Sequence, residues 1–290
     1  MGSNGQLGRE LGRSFAGSGA VLAADRARCD LADSAALRAL IRGASPAIIL
    51  NAAAYTAVDR AESEREPAYA INATAPGIMA EEARRSDALL VHYSTDYVFD
   101  GGKAGPWTED DPTGPLNVYG ASKLAGEQAI GAAGGKHLIF RTSWVYAPHG
   151  KNFLFTMLRL GAEREKLAIV DDQIGAPTTA IELAEATRQV VEGIFAGRFG
   201  AAAQWRGVYH MTCAGQTSWC GFARAIFARA AARLGGKTPE LIPIRSEDYP
   251  TPARRPHNSV LANDRLAERF GVRLAPWEQA LDAVFELLPR

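Results

Sequence analysis

Through the first half of this chain, short apolar segments alternate with stretches of helical pattern. The apolar segments cover residues 21–24, 47–50, 89–93 and 137–140, and the helical stretches cover 34–42, 66–85 and 119–132. Apolar strands that alternate with helices predict a parallel sheet covered by helices on both faces. The fold class that we expect is therefore α/β, built on a doubly wound parallel sheet.

Polar residues follow the apolar segments at the points where strands would end. They are Asp25, Asn51, Ser94-Thr95-Asp96 and Arg141-Thr142-Ser143. In a sheet of this kind, ligands bind outside the carboxyl ends of the strands. We therefore expect these residues to surround a binding site.

After about residue 145 the pattern becomes less regular. Helical stretches at 152–164, 181–193 and 277–287 are separated by strand-like segments at 167–170 and 207–211, by a Gly/Ala-rich loop at 197–203 and by Pro- and Arg-rich sequence from 240 onward. This change predicts a first domain at 1–146 and a smaller α/β domain at 147–290. The two are expected to interleave, with residues of about 180–230 returning to the first.

The composition is typical of an ordinary globular protein. Apolar residues make up 47% of the 290 residues, and 32 basic residues balance 32 acidic ones, so neither nucleic acid nor a membrane surface is an expected partner. No apolar run approaches the ~18–20 residues of a membrane span, and no signal peptide is recognisable. The three cysteines are too scattered for a disulfide framework, and we expect a cytoplasmic protein.

Glycines at positions 2, 5 and 8 precede a helical pattern at the start of the chain. A Gly-rich turn into a helix N-terminus binds pyrophosphate in Rossmann-like folds, where a central strand comes directly before it. Here only Met1 precedes Gly2. Five apolar side chains of that strand would each contribute roughly 1.5–3 kcal/mol on burial. We therefore expect that the first strand is missing and that about six residues belong upstream; an artificial Met-Gly-Ser start is the alternative.

Tyr119 and Lys123 stand four residues apart in a predicted helix, which places them on one face. A nearby cation lowers the pKa of a phenol from about 10, so that the phenol exchanges protons nearer neutral pH. Such a pair also occurs by chance on helix surfaces. The hydroxyl-bearing Ser94-Thr95-Asp96 segment favours the functional interpretation.

Seven motifs across the chain resemble the extended short-chain dehydrogenase/reductases, and most closely the dTDP-4-dehydrorhamnose reductases. They are GSNGQLG (2–8), NAAAYTAVD (51–59), STDYVFDG (94–101), NVYGASK (117–123), RTSWVY (141–146), DDQIGAPT (171–178) and YPTPARRPHNS (249–259). The resemblance implies reduction of the 4-keto group of dTDP-4-dehydro-L-rhamnose by NADPH or NADH. It also makes the first domain the dinucleotide-binding one and the second the sugar-nucleotide-binding one.

For the chemistry, the resemblance implies that Tyr119 protonates the oxygen that accepts the hydride. Lys123 would lower the pKa of the tyrosine and bind the nicotinamide ribose. Thr95 would polarise the substrate carbonyl. Tyr119 and Lys123 thus belong to both the catalytic and the cofactor-binding set, and Thr95 to both the catalytic and the substrate-binding set.

The further cofactor contacts implied by the resemblance lie at the ends of the first predicted strands. They are Gly5, Gln6 and Leu7 at the phosphate turn, Asp25 at the adenine ribose, Asp30 and Leu31 at the adenine, and Ala54, Tyr55 and Thr56 at the nicotinamide half. Instead of contacting the adenine, Asp30 could be a turn or N-cap residue. Asp25 favours NADH, whereas Arg26 and Arg28 suit the 2′-phosphate of NADPH, so use of both is expected.

For the dTDP-sugar, the resemblance implies contacts from Asp96 and Trp144. Arg254 and Arg255, with His257, are candidates for the diphosphate, because guanidinium groups suit phosphate oxygens. The alternative to these binding roles is that Trp144 is a core aromatic residue and that the arginines form a solvated charge cluster. No metal ligands have a recognisable spacing, while Mg²⁺ at a subunit contact and a homodimer are left open.

Three other functions are alternatives to the expected reductase. A sugar-nucleotide dehydratase needs glutamate after the Thr-Asp pair, where this chain has Tyr97. A 4-epimerase would regenerate its bound NAD in each cycle. A non-catalytic NADP-binding regulatory subunit shares the fold without turnover, and Thr95, Tyr119 and Lys123 together favour an enzyme.

Overall fold

The computed structural model of the chain describes residues 1–231 and 233–288. The helices are α1 (Gln6–Ser14), α2 (Ser34–Ala44), α3 (Val58–Ala61), α4 (Arg65–Tyr69), α5 (Ala75–Arg85), α6 (Val118–Ala133), α7 (Phe153–Glu163), α8 (Ala180–Phe195), α9 (Ala202–Trp205), α10 (Trp219–Ala230), α11 (Asp264–Phe270) and α12 (Trp277–Leu287). The strands are β1 (Ile48–Asn51), β2 (Leu89–Thr95), β3 (Lys136–Thr142), β4 (Val145–Tyr146), β5 (Lys166–Val170), β6 (Ile174–Gly175), β7 (Thr178–Thr179), β8 (Gly207–His210), β9 (Thr217–Ser218) and β10 (Glu240–Ile244).

A four-stranded parallel sheet with the order β1-β2-β3-β8 forms the centre of the fold. Ile48 of β1 lies opposite Leu89 of β2, and Leu138 of β3 lies opposite Gly207 of β8. The α/β fold with a parallel sheet is thus confirmed. Since all strands run in the same direction, their polar carboxyl ends lie along one edge of the sheet.

Helices bury an apolar core on each face of this sheet. On one face, Leu7 and Leu11 of α1 belong to the same buried cluster as Leu183 and Val190 of α8. On the other face, α2 and α5 bury a second cluster against β1, β2 and β3, to which Leu37, Ile41, Met79, Ile49, Leu90 and Ile139 belong. The covering helices hold the strand ends in fixed positions for the site.

The predicted strand at 21–24 is not formed. This segment is irregular, and Ser3 N–H donates to Ala24 O at 3.2 Å. A groove of about 900 Å³ separates it from β1, so a ladder partner is lacking. Val21 and Leu22 consequently keep 54% and 46% of their surface exposed.

Met1 lies at one end of this groove in the position of a parallel strand residue. Its amino group donates to Leu50 O at 2.6 Å, and its carbonyl accepts from Ala52 N–H at 3.2 Å. These are the bonds of a parallel ladder opposite Asn51. The hydrogen-bonding edge of β1 before Asn51 faces the groove.

The predicted helix at 66–85 is interrupted by a π-helical turn (Ala70–Thr74) between α4 and α5. Pro76 has no N–H to donate to the carbonyl of Asn72, four residues earlier. Gly126 of α6 packs so closely there that a Cβ on it would lie 2.1 Å from that carbonyl oxygen. The turn brings the Asn72 side chain to Tyr55, whose N–H donates to Asn72 Oδ1 at 2.8 Å.

The second half of the chain divides its elements between two places. Strand β8 pairs with β3, and α8 packs beside α1, where Ser14 Oγ donates to the Ala184 carbonyl at 3.4 Å. The parallel pair β5–β10, the pairs β4–β7 and β6–β9, and helices α7, α10 and α12 form the rest. The loop predicted at 197–203 ends inside α9. Within the described residues, no helix has the length and apolar character to cross a bilayer.

Candidate active site

A cavity of about 1140 Å³ runs along the carboxyl ends of β1, β2 and β3. Fourteen residues predicted for the site line it: Gly5, Gln6, Leu7, Asp25, Asp30, Leu31, Ala54, Tyr55, Thr56, Thr95, Asp96, Tyr119, Lys123 and Trp144. Arg254 and Arg255 are not among its lining residues. The structure therefore brings the predicted cofactor and catalytic residues together in the cavity, and Arg255 adjoins the cavity through a hydrogen bond to the lining residue Tyr97.

The glycine turn at one side of the cavity is tightly folded around the start of α1. Gly2 has φ +76°, and Gly5 N–H donates to the Gly2 carbonyl at 3.0 Å. A Cβ at Gly8 would lie 2.0 Å from that carbonyl oxygen. Helix α1 begins without a side-chain cap, so backbone N–H groups of its first turn are available to an anion.

Asp25 closes the far end of the cavity next to this turn. Its Oδ2 accepts from Asn4 Nδ2 at 2.7 Å, and its Oδ1 accepts from Arg28 N–H at 3.0 Å. Arg26 forms an exposed ion pair with Asp30 at 3.3 Å. A hydrogen bond from Ala32 N–H and the charge of Arg26 hold the pKa of Asp30 below its usual range. A carboxylate and basic side chains thus stand together at this end.

Tyr55 lines the cavity between the turn and the strand ends. Its hydroxyl donates to the Glu64 carboxylate, and this bond raises the pKa of the phenol. Its backbone carbonyl accepts from Asn72 Nδ2 at 3.1 Å. Tyr55 is therefore held at both its backbone and its hydroxyl.

Tyr119 enters the cavity from the first turn of α6. Asn117 caps this helix by accepting from Gly120 N–H at 2.8 Å. Burial raises the pKa of Tyr119 to about 12, while hydrogen bonding to the Thr95 side chain acts in the opposite direction. The lowered phenol pKa expected from the spacing to Lys123 is therefore not seen, because burial is the largest effect and the charge of Asp96 acts in the same direction.

Lys123 is buried one turn further along α6, with 1% of its surface exposed. Its Nζ lies 2.6 Å from the Tyr93 carbonyl and 3.1 Å from His92 Nε2. Burial lowers the pKa of the ammonium to about 8, and the charge of Glu127 partly opposes this effect. An ammonium has three N–H donors, so at least one remains for the cavity.

Asp96 is a buried acid next to Thr95. Its Oδ1 accepts from Thr95 Oγ1 at 3.0 Å, whereas its Oδ2 has no partner in the described part of the chain. Burial raises its pKa to about 7, against the effect of hydrogen bonds from Ser259 and Thr95. The following Tyr97 packs edge-to-face on Tyr119, with ring centroids 5.8 Å apart.

Trp144 lies at the opposite end of the cavity in a backbone conformation that is uncommon for a bulky residue, with φ +48°. Its ring stacks on Trp219 with centroids 3.6 Å apart and planes 10° from parallel. Gly175 packs against the same indole, because a Cβ there would lie 2.6 Å from it. Trp219 also lines the cavity and was missed from the sequence, where it lacks any local motif.

The two predicted arginines have other surroundings. Arg255 forms an ion pair with Asp59 at 2.8 Å and also donates to Thr251 Oγ1 at 2.6 Å. Its hydrogen bond lowers the pKa of Asp59. Arg254 is exposed, and its carbonyl accepts from Asn117 Nδ2 at 2.7 Å. The arginine loop is thereby attached to the start of the helix that carries Tyr119.

Comparisons with known proteins point to one family along nearly the whole chain. Residues 1–289 match the RmlD substrate binding domain family. The chain is 51% identical over 284 residues to a dTDP-4-dehydrorhamnose reductase of Burkholderia thailandensis, covering 97% of this chain and 95% of that protein. The chain belongs to the dTDP-4-dehydrorhamnose reductase family. The enzyme of that name from Escherichia coli K12 is 44% identical, covering 96% of this chain and 93% of that protein.

A solved structure of another family member adds the cofactor. The dTDP-4-dehydrorhamnose reductase of Bacillus anthracis, in complex with NADP, has a TM-score of 0.90 at 34% identity, covering 99% of this chain and 97% of that one. The dTDP-4-dehydrorhamnose reductases are NAD(P)H-dependent oxidoreductases. Across residues 1–231 and 233–288 no group of three or more His, Cys, Asp or Glu is arranged to hold a metal ion.

Proposed function

We propose that this member of the dTDP-4-dehydrorhamnose reductase family reduces the 4-keto group of dTDP-4-dehydro-L-rhamnose to give dTDP-L-rhamnose. The observation that carries the proposal is the meeting of Thr95, Tyr119 and Lys123 in one cavity with the glycine turn. These residues come from β2, from α6 and from the start of α1, which are far apart in sequence. A non-catalytic binding subunit would not need them in one place.

The cavity fits a nicotinamide dinucleotide. The uncapped start of α1 provides backbone N–H groups for a pyrophosphate, and the turn leaves no room for a Cβ at Gly8. Asp25 would hold ribose hydroxyls at one end, with Arg26 and Arg28 available to a 2′-phosphate, so NADPH and NADH both suit the site. Lys123 would bind the nicotinamide ribose with its remaining N–H. When bound, the cofactor supplies the hydride for the carbonyl carbon.

Tyr119 has the properties of the proton donor. With a pKa raised to about 12, it keeps its proton at neutral pH and gives it to the more basic oxygen that forms as the carbonyl is reduced. Thr95 provides a second hydroxyl beside the same oxygen. Burial around Tyr119 strengthens these hydrogen bonds, because water does not compete for them.

The sugar nucleotide would extend from Thr95 toward Trp144 and the arginine loop. Within the described residues Asp96 Oδ2 has no partner, so it is available to accept from a sugar hydroxyl. Trp144 offers an apolar wall for the sugar. The exposed Arg254, whose side chain has no partner among the described residues, is available to a phosphate oxygen, whereas Arg255 would have to leave or share Asp59.

Replacement of Tyr119 tests the function. We expect Tyr119→Phe to lower kcat about 10²–10⁴-fold because the proton donor is lost, while NADPH affinity stays near that of the parent. The assay follows stoichiometric NADPH oxidation with dTDP-4-dehydrorhamnose, which separates net reduction from epimerisation.

A matched control is Tyr209→Phe, which removes a buried hydroxyl that donates to the Trp205 carbonyl at 2.8 Å, away from the cavity. It should keep its kcat. Undiminished turnover in Tyr119→Phe would show that another group donates the proton. No NADPH oxidation by the parent protein would reject the reductase proposal itself.

A further inference from the structure

Three segments that are far apart in the sequence meet beside the cavity at the guanidinium of Arg255. With Asp59 of α3 it forms an ion pair of two bonds, Nη1 to Oδ1 at 3.1 Å and Nη2 to Oδ2 at 2.8 Å. It also donates to the hydroxyl of Tyr97, which comes two residues after the end of β2. Of the three residues, Tyr97 alone lines the cavity. The proposed reduction gives Asp59 and Tyr97 no role.

The loop that carries Arg255 is held in place by contacts other than this ion pair. Before Arg255, the Arg254 carbonyl accepts from the N-cap residue of α6 at 2.7 Å. After it, Pro256 packs so closely that a Cβ on Gly101 would lie 2.6 Å from the proline Cβ. The backbone is therefore fixed on both sides, and Asp59 determines where the long arginine side chain places its guanidinium.

Tyr97 is held between this guanidinium and Tyr119. Burial and the charge of Asp96 raise the pKa of the Tyr97 phenol, so it is protonated at neutral pH. Because a guanidinium can only donate, the phenol oxygen accepts from Arg255. The start of α6 packs on the backbone of Tyr97, where a Cβ on Gly120 would lie 2.2 Å from the tyrosine carbonyl oxygen. The Tyr97 ring then contacts Tyr119 edge-to-face, with centroids 5.8 Å apart.

We propose that Asp59 is a positioning residue for the reduction. It fixes the Arg255 guanidinium, which holds the Tyr97 ring against Tyr119 and so keeps the Tyr119 hydroxyl directed at the substrate carbonyl. A displacement of about 1 Å at a reacting group can cost up to about 10²-fold in rate. Arg255 stays with Asp59 during turnover in this arrangement, which leaves the diphosphate to the exposed Arg254. The inference rests on the proposed role of Tyr119 as proton donor.

Three variants change the contacts between Asp59 and Tyr119 at different points. Asp59→Asn removes the charge but keeps an oxygen for the Ala253 N–H, which the aspartate binds at 3.2 Å. Asp59→Glu keeps the charge on a longer side chain. Tyr97→Phe keeps the ring and removes the hydroxyl to which Arg255 donates.

The control is an ion pair of the same kind elsewhere on the molecule. Asp282 of α12 pairs with Arg229 of α10 at 2.6 Å, and neither residue lines the cavity. The side chains of Arg229 and Arg255 are 23% and 22% exposed, so the two pairs have similar access to water. Asp282→Asn should keep the kcat of the parent.

The kinetic readout separates positioning from binding. We expect Asp59→Asn and Tyr97→Phe each to lower kcat about tenfold, with NADPH affinity near that of the parent. Asp59→Glu should keep more of the kcat than Asp59→Asn. The double variant Asp59→Asn/Tyr97→Phe should be about as slow as the slower single variant, because both changes interrupt the same series of contacts.

A second readout needs neither cofactor nor turnover. ¹⁹F NMR on protein labelled with 3-fluorotyrosine reports the surroundings of Tyr119, whose resonance is assigned with Tyr119→Phe. We expect this resonance to move in Asp59→Asn, because the neighbouring Tyr97 ring is no longer held, and to stay in place in Asp282→Asn.

An unmoved Tyr119 resonance in Asp59→Asn, with folding checked by circular dichroism, overturns the positioning role. A raised KM for the sugar nucleotide with an unchanged kcat also overturns it, since Arg255 would then act on the diphosphate. Losses of kcat that multiply in the double variant would show that Asp59 and Tyr97 act separately, which contradicts the proposal. If the parent protein shows no reductase activity while the resonance still moves in Asp59→Asn, the proposed function fails and the positioning of Tyr119 stands.

Discussion

Asp96 is a buried carboxyl group with fewer partners than its oxygens can accept. Its folded pKa of about 7 lies above the ordinary value of about 3.9. The folded protein therefore binds more protons than the unfolded chain between about pH 4 and pH 7. By this linkage, Asp96 makes the free energy of unfolding fall as the pH rises through that window.

This pH dependence predicts the behaviour of Asp96→Asn. At pH 8 the variant should be more stable than the parent by about 1–4 kcal/mol, because a neutral amide replaces a buried carboxylate, whereas at pH 4 the two should be similar. Chemical denaturation at both pH values measures the difference. Asp100→Asn, at an exposed position on the same loop, serves as the control with no such difference. Equal stability of parent and Asp96→Asn at pH 8 would contradict the prediction.

At the residue scale, the sequence predicted those site residues that stand in motifs or at strand ends. Thr95, Tyr119 and Lys123 were found this way, and the cavity brings them together. Trp219 was missed because its partner, Trp144, is 75 positions away and only the folded chain stacks the two rings. His92 was read as part of an apolar strand, since nothing local distinguishes a core histidine from one that contacts Lys123.

At the element scale, α1 depends on two glycines in different ways. A Cβ at Gly8 would collide with the Gly2 carbonyl, whereas a Cβ at Gly12 would meet nothing within 4 Å. We expect Gly8→Ala to open the turn and weaken NADPH binding by at least about tenfold, measured by fluorescence titration. Gly12→Ala should preserve binding and stabilise the helix by about 1 kcal/mol. Equal affinities of the two variants would argue against a phosphate site at this turn.

Elements with a strong local pattern were predicted well, and those that depend on distant partners were not. The strand predicted at 89–93 is part of β2, which has neighbours on both sides. The strand predicted at 21–24 has the same apolar character but lacks a ladder partner beside it. Helix α10 was overlooked because its buried residues, among them Phe222 and Ile226, face a core built by the whole second half.

At the scale of the whole molecule, the groove beside β1 predicts a response to an added strand. Five apolar residues placed before Met1 would hydrogen-bond to the free edge of β1 and cover Val21 and Leu22. Each apolar side chain that becomes fully buried contributes roughly 1.5–3 kcal/mol. We expect the melting temperature to rise relative to the parent, as measured by differential scanning fluorimetry. Five Gly/Ser residues at the same place are the control. Equal melting temperatures for the two extensions would show that the groove takes no strand.

The pairing of β8 with β3 also determines when the central sheet becomes complete during synthesis. The ribosome must add residues up to His210 before the outer edge of β3 finds its partner. Until α8 and β8 have emerged, Leu7 and Leu11 lack part of the surface that covers them. Until then the nascent chain exposes an open strand edge and an uncovered helix face, the features that chaperones bind and that promote aggregation.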